Sequence, residues 1–166
     1  MTIKKPISFK LILAVLLVMI LLIGIYLIVP KNFHIDCRLD ATEMDNGSGA
    51  NQKQTTLAIT GIYHKSLFSG DSFTGHVEIA GYPVTHGEMM PITFSSDDKG
   101  YGGLSYRNDG TLEFIGYIYM NQNASEVIVC LFDDIGEGRK GWSESTGSVI
   151  SFPCDKISDL TDRLYE

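Results

Sequence analysis

The sequence lacks the patterns that would identify a familiar catalytic centre. It has only three cysteines and no Cys-x-x-Cys pair, which excludes a zinc ribbon and a thioredoxin-type redox site. It also lacks H-E-x-x-H, the helical pattern of many zinc hydrolases, and G-x-S-x-G, the nucleophile turn of α/β-hydrolases. We therefore assign no catalytic residue and no metal ligand from the sequence, and we expect no cofactor.

Charge is absent from one long stretch near the N-terminus. Leu11–Val29 holds nineteen residues without a charged side chain, and roughly 20 apolar residues in a helix span the hydrocarbon core of a bilayer. The apolar region of a signal peptide is usually only about 7–15 residues long and precedes a small-x-small cleavage pattern, which Val29–Phe33 does not show. This favours a transmembrane helix at 11–29 that is retained as a signal-anchor, with a cleaved signal peptide as the alternative.

The basic residues before this stretch predict its orientation. Lys4, Lys5 and Lys10 precede it and no acidic residue does, and Lys and Arg collect in the cytoplasmic flanks of membrane helices. We therefore expect a single-pass protein of the cell membrane whose N-terminus is cytoplasmic. Its segments would be a cytoplasmic basic segment at 1–10, the transmembrane helix at 11–29, a stalk, first strand and loop at 30–56, and an extracytoplasmic β domain at 57–166.

Positive charge is scarce beyond the apolar stretch. The chain has 13 basic and 20 acidic residues. Three of the basic ones precede the stretch, so ten basic residues face twenty acidic ones in the rest and the net charge there is −10. Because nucleic-acid binding depends on neutralising phosphates with Lys and Arg, we expect no nucleic-acid partner. A basic protein, a cation or a neutral ligand remains compatible with this charge.

The remainder of the chain shows the two-residue period of β-strands. Apolar and polar residues alternate over 57–64 and 73–79, and a hairpin-like turn at 95–100 separates two further runs, 90–94 and 104–107. Near the end, Ile157, Leu160 and Leu164 recur at helical spacing. The fold class we expect is mainly β: an antiparallel sandwich or curled barrel of about eight strands with a short C-terminal helix around 155–164. The predicted strands are Asp36–Thr42, 57–64, Phe73–Ile79, Met90–Phe94, Leu104–Arg107, Leu112–Met120, Glu126–Phe132 and Gly147–Phe152.

Aromatic residues supply the candidate binding residues. Tyr117 and Tyr119 alternate along the predicted strand 112–120, and Trp142 lies in a glycine-rich loop. Strict alternation places both tyrosines on one face of that strand and Phe114 on the other. A ligand platform is one interpretation; a second core face or a subunit contact is the alternative, because aromatics are common in cores and interfaces.

Five strand and turn segments within residues 57–132 carry a resemblance: Gly61–Phe68, Asp71–Gly75, Glu78–Tyr82, Pro91–Phe94 and Tyr117–Tyr119. Together they resemble a loose group of small proteins of Gram-positive bacteria, which have one N-terminal membrane helix, an outer β-rich domain and no assigned function. The resemblance implies compartment and general shape and carries over no functional residue.

Two functions remain open at this point. The first is a membrane-anchored extracytoplasmic β domain that acts as a binding or accessory module at the cell surface, with a protein partner. The alternative is a cell-envelope hydrolase whose active site forms only in the folded chain. An enzyme should show a concave pocket with convergent polar groups, whereas a binding module should show an exposed apolar or aromatic patch.

The three cysteines lead to a first prediction. Cys130 lies in the apolar run Val127–Phe132, where a buried thiol acts as a small hydrophobe, so Cys37 and Cys154 form the more plausible disulfide in an oxidising exterior. A closed loop of that length should raise the free energy of unfolding by about 4–5 kcal/mol in the chain-entropy treatment. Mass mapping of alkylated, non-reduced protein should recover the linked peptides. Alkylation of both cysteines without prior reduction would show three free thiols instead.

Overall fold

A computed structural model describes residues 9–29, 31–45, 52–67, 70–95, 100–134, 140–142 and 147–153. The first element is a helix, α1, at Phe9–Ile28. None of the window Phe9–Tyr26 is buried against the other described parts of the chain. The chain thus has an N-terminal helix that is long and apolar enough to cross a membrane, a property that a signal sequence shares.

Antiparallel strands form almost all of the remaining described structure. One sheet holds nine of them in the order β4-β6-β7-β8-β11-β1-β2-β3-β5, and a separate two-stranded ribbon pairs β9 with β10. The strands are β1 (Lys31–Asp45), β2 (Lys53–Lys65), β3 (Asp71–Ile79), β4 (Glu88–Met89), β5 (Ile92–Phe94), β6 (Tyr101–Asn108), β7 (Thr111–Met120), β8 (Val127–Leu131), β9 (Asp133–Asp134), β10 (Lys140–Gly141) and β11 (Ser148–Phe152).

The sheet curls into a half-barrel, and a single segment connects its two ends. β4 pairs with β6 at one end of the strand order, whereas β5, which follows β4 after two residues, pairs with β3 at the other. Two backbone hydrogen bonds extend the connection: the Met90 N–H donates to the Ser105 carbonyl (2.9 Å) and the Ser95 N–H to the Tyr101 carbonyl (3.2 Å). The segment 88–95 therefore satisfies the backbone of both ends of the sheet, which would otherwise be open edges.

One face of nearly every strand lies in the interior. Alternate residues of β2, β3 and β6 are buried, as the two-residue period requires. The interior also encloses a hydrogen bond, from the Tyr106 hydroxyl to the Val77 carbonyl, so this buried phenol has a partner. The largest fully buried side chains are Tyr106, Phe73, Met44, Leu57, Ile59, Ile79, Ile92, Leu104, Ile118, Met120, Ile128 and Ile150.

A close approach of β2 and β3 depends on two paired glycines. Gly61 faces Gly75 across the ladder, and a Cβ on Gly75 would lie 2.2 Å from the Thr60 carbonyl oxygen and 2.5 Å from the Gly61 Cα. A side chain at either position would push the two backbones apart. The pair therefore fixes the hairpin whose far end carries Tyr63 and Asp71.

The prediction of a mainly antiparallel β fold is confirmed, and its details are corrected in three places. The strand count differs from eight, because the sheet has nine strands and the ribbon two more. β1 is longer than the predicted strand Asp36–Thr42, since it pairs with β2 from Lys31 onward. The predicted runs 90–94 and 104–107 form no ladder with one another, because β5 pairs with β3. The ends of the hairpin-like turn at 95–100 are nevertheless joined, since the Gly100 N–H donates to the Ser95 carbonyl (2.8 Å) and the Ser95 N–H to the Tyr101 carbonyl (3.2 Å). The expected C-terminal helix around 155–164 lies outside the described residues.

Candidate functional site

Four apolar residues lie on the outer face of the sheet, three of them in β7 and one directly after β8. Leu112, Phe114 and Tyr117 are 56, 43 and 45% exposed, and Phe132 is half-buried beside them. The three rings meet edge to face, with centroids 5.5 Å apart for Phe114–Tyr117, 5.1 Å for Phe114–Phe132 and 5.2 Å for Tyr117–Phe132. We call these four residues the outer aromatic patch.

A β-bulge in β7 creates this patch. Leu104 pairs with Gly116, but the next residue of β6, Ser105, pairs with Phe114, so Ile115 is an extra residue in the ladder. Ile115 is buried in the main core, and the bulge brings Phe114 onto the outer face together with Tyr117. The prediction that these two aromatics lie on opposite faces is therefore wrong, because alternation fails at a bulge.

A glycine on the neighbouring strand makes room for the Phe114 ring. Gly103 pairs with Tyr117, and a Cβ on Gly103 would lie 2.9 Å from a ring carbon of Phe114. The ring thus lies over the backbone of β6. Edge-to-face aromatic pairs contribute about 0.5–1.5 kcal/mol each beyond burial, so the patch is held in a defined shape while its outer surface stays exposed.

The other two candidate residues lie elsewhere on the outer face. Tyr119 packs at a ring-centroid distance of 5.9 Å from Tyr101. Both Tyr119 and Trp142 pack against a second, smaller cluster made of Tyr101, Ile128, Cys130 and Val149. The structure therefore separates the three predicted binding residues: Tyr117 belongs to an exposed patch, and Tyr119 and Trp142 belong to a second core face.

A polar cleft opens at the end of the half-barrel where β1 begins. It has a volume of about 890 Å³, within the range of roughly 300–1,000 Å³ typical of ligand sites. Lys65 lines it, and Lys65 pairs with Lys31, the first residue of β1. Three connections contribute the described walls: the β2–β3 turn, the end of β5, and the β7–β8 turn at 121–125.

Asp71 organises one wall of the cleft. Its carboxylate accepts hydrogen bonds from the Tyr63 hydroxyl (2.8 Å), the Lys65 ammonium (3.2 Å) and the Ser66 N–H (2.9 Å). Burial by itself raises the pKa of Asp71, but these donors outweigh it and hold the pKa below its usual value. Burial and the Asp71 carboxylate together raise the pKa of Tyr63, which therefore stays protonated.

Aromatic rings form the floor beside this network. Tyr63 stacks on Phe94 with centroids 5.4 Å apart and planes 22° from parallel, and Tyr119 also lines the cleft. Of the described residues that line the cleft, sequence reasoning named Tyr119 as a binding residue and did not identify Tyr63, Lys65 or Asp71. Their only signal was the apolar alternation over 57–64, which places Tyr63 on the core face without indicating its neighbours.

Neither a metal-binding group of side chains nor a disulfide is present among the described residues. Within the residues that the structure describes, no group of three or more His, Cys, Asp and Glu side chains is placed to hold a metal ion. Cys37 is half-buried in β1 and Cys130 is buried, and these two are not bonded to one another. Cys154 lies outside the described residues, so its pairing with Cys37 stays a prediction.

Comparison with known proteins assigns neither a family nor a function to this chain. No family model, no curated protein and no solved structure matches this chain. The candidate sites therefore rest on the geometry of the outer aromatic patch and of the cleft.

Asp71→Asn should lower the free energy of unfolding at neutral pH by about 1–2 kcal/mol, because the hydrogen bonds would no longer end on a charged group. The pKa of Asp71 is lower in the folded state, so its stabilisation is fully present above the unfolded value of about 3.9 and is lost as the pH falls through the folded pKa. The difference in unfolding free energy between variant and wild type, measured by denaturant unfolding, should therefore be larger at pH 7 than at pH 3. An equal difference at both pH values would contradict the assignment, and Ser72→Ala on the same strand serves as control.

Proposed function

We propose that this protein is a membrane-anchored binding module. In this proposal α1 stays in the membrane with its N-terminus in the cytoplasm, the β domain lies outside, and the outer aromatic patch binds a protein partner. The observation that carries the proposal is the exposure of three mutually packed aromatic rings on the outer face of a sheet whose other face is a full core.

The anchor is supported by the connection between helix and sheet. α1 ends at Ile28 and β1 starts at Lys31, already paired with β2, so only two residues separate the apolar helix from the folded domain. The Lys31 ammonium lies 4.9 Å from the centre of the Tyr26 ring, a cation–π distance. Tyrosine and lysine at a helix end are typical of the membrane–water boundary.

The patch has the composition of an interaction surface. Contiguous exposed apolar groups on a folded domain mark binding sites, and aromatic side chains dominate the binding energy of protein interfaces. Beyond the helix, the chain carries a net charge of −10 by sequence. A partner with an apolar centre and a basic rim fits this surface, because complementary charge accelerates encounter and selects the partner.

The hydrolase alternative finds less support in the geometry of the cleft. A general acid near neutral pH needs a raised carboxyl pKa, whereas the hydrogen bonds to Asp71 lower its pKa. The Tyr63 hydroxyl donates to that same carboxylate, so the phenol and the carboxylate are hydrogen-bonded to each other. The cleft thus has the convergent polar groups of a ligand site without a poised acid or base among its described residues.

The membrane topology is directly testable. If α1 is retained with the N-terminus inside, protease added to cells stripped of their wall should digest the chain beyond about residue 31 and leave an N-terminal epitope tag protected. Peptide mapping of the membrane-bound protein should still recover the residues that precede Leu11. Loss of the N-terminal segment from the mature protein would establish the signal-peptide alternative, and full protection of the domain until lysis would reverse the orientation.

The patch is tested by photocrosslinking in native membranes. A benzophenone amino acid at position 117 should give a discrete adduct with one protein, because the ring at this position would lie inside the interface. Phe114→Ser should reduce that adduct at least fivefold, the effect of losing about 1 kcal/mol of aromatic contact.

The control position lies on a distant strand of the half-barrel. Thr60 is an exposed residue of β2, and the same photoreactive group at position 60 should give no discrete adduct, while Thr60→Ala should leave the adduct at position 117 unchanged. Equal crosslinking from both positions, or an adduct at position 117 that is insensitive to Phe114→Ser in a folded variant, would remove the patch as the binding surface.

A further inference from the structure

We infer that the turn between β2 and β3 rests on the lipid surface and gives the domain a second membrane contact, with the Leu67 side chain inserted among the headgroups. The partner is the outer leaflet of the bilayer that holds α1, so the inference rests on the part of the proposed function that retains this helix. It does not depend on the outer aromatic patch or on a protein partner.

Leu67 is one of the few large apolar side chains that the folded domain exposes. Beyond residue 30, such side chains occur in two places among the described residues, the outer aromatic patch and this turn, and Leu67 is the most exposed of them at 65%. A single exposed leucine is ordinary on a soluble domain. What distinguishes Leu67 is its location at the end of the domain that is joined to a long apolar helix.

The pairing of β1 with β2 determines this location. β1 leads away from α1, and β2 returns antiparallel to it until Lys65 lies opposite Lys31. Leu67 follows two residues after Lys65, at most about 8 Å further along the chain. Lys31 in turn is three residues from Ile28, the end of α1, at most about 11 Å of chain. The turn therefore begins where the ladder ends, on the side of the domain that the helix tethers.

Asp71 holds the residues directly before Leu67 in place. Its carboxylate accepts hydrogen bonds from the Ser66 N–H (2.9 Å) and from the Lys65 ammonium (3.2 Å), so the end of β2 is bonded to the first residue of β3. A side chain that is carried by a fixed backbone loses less conformational entropy when a surface covers it. The network around Asp71 thus presents Leu67 outward in a defined place.

The contact that Leu67 can make is apolar. Apolar side chains enter the boundary between headgroups and acyl chains because removal of their surface from water is favourable, and leucine has no charge for salt to screen. The contact should therefore form on zwitterionic phosphatidylcholine and persist at high salt. Together with α1 it would restrict the rocking of the domain against the membrane, which a single helical tether leaves free.

Photo-leucine, a diazirine analogue of leucine with nearly the same size, tests the contact in the full-length protein. The labelled protein is assembled in phosphatidylcholine nanodiscs, irradiated and mapped for lipid adducts. Leu16 in α1 is the positive reference, and Leu112, a 56% exposed leucine eight residues from Met120 on β7, is the matched negative one. The adduct yield at Leu67 should exceed that at Leu112 about fivefold or more, because burial of even half a leucine side chain favours the inserted state by that factor.

The two references separate the outcomes. Adducts at Leu16 but no more at Leu67 than at Leu112 would overturn the second contact and leave the anchor standing. An absence of adducts at Leu16 would show that α1 does not enter the bilayer and would remove the anchor with it. Loss of the Leu67 adduct in about 1 M sodium chloride, which screens exposed charges beyond about 3 Å, would assign the contact to charge and overturn the insertion of leucine.

Leu67→Asn gives an independent check on the motion of the domain. Trp142 is the only tryptophan and packs against the cluster of Tyr101, Ile128, Cys130 and Val149, so its fluorescence anisotropy follows the domain. The variant should lower the residual anisotropy of Trp142 in nanodiscs, whereas Thr60→Asn, at an exposed position of β2, should leave it unchanged. Asparagine is common in turns, so the Leu67 variant should keep the wild-type thermal midpoint. An unchanged anisotropy in the Leu67 variant, or an equal fall in both, would contradict the inference.

Discussion

The structure depends on the segment 88–95, which supplies hydrogen-bonding partners to both ends of the curled sheet. β4 binds β6 and β5 binds β3 within seven residues of one another, so the two ends of the strand order must lie side by side. That constraint makes the sheet enclose a core instead of lying flat with one face in water. It also places Phe94 against Tyr63 and so builds the floor of the cleft. The segment 88–95 therefore both connects the two ends of the sheet and shapes the cleft.

The sequence predicts strands whose apolar residues alternate regularly. It assigns residues to the wrong face of a strand where that alternation is interrupted. The alternation over 57–64 and 73–79 identifies β2 and β3 because each of these strands has one face in the core. In β7 the extra residue Ile115 shifts the register, and every face assignment on the N-terminal side of it changes. The local composition offers one signal, Gly116 directly after Ile115, because an isolated glycine inside a strand often accompanies a bulge. Ile115 itself is a good strand residue, and which residue is inserted is decided by how β6 and β7 pair.

The cleft was beyond sequence reasoning for a different reason. Tyr63 lies in β2, Asp71 begins β3 and Gln122 lies in the β7–β8 turn. Their approach follows from strand order and curl, which single-sequence patterns do not determine. The hairpin β2–β3 joins the first two, because Tyr63 pairs with Phe73 and the turn brings Asp71 beneath the phenol. The β7–β8 turn lies at the cleft only because the sheet curls and its two ends are connected. Residues that carry binding commonly lie on such connections, where a rigid scaffold positions them.

The cleft and the outer aromatic patch lie at different distances from the end of α1. Ile28 and Lys31 are separated by three Cα–Cα steps, about 11 Å of chain at most, so the cleft end of the domain stays close to the end of α1. Along β7, Tyr117 lies three residues and Phe114 six residues from Met120 at that end, about 10–20 Å further along a strand. In the proposed topology, with α1 retained in the membrane, the cleft would therefore open next to the lipid headgroups, whereas the patch would lie clear of them, where a folded partner can reach it.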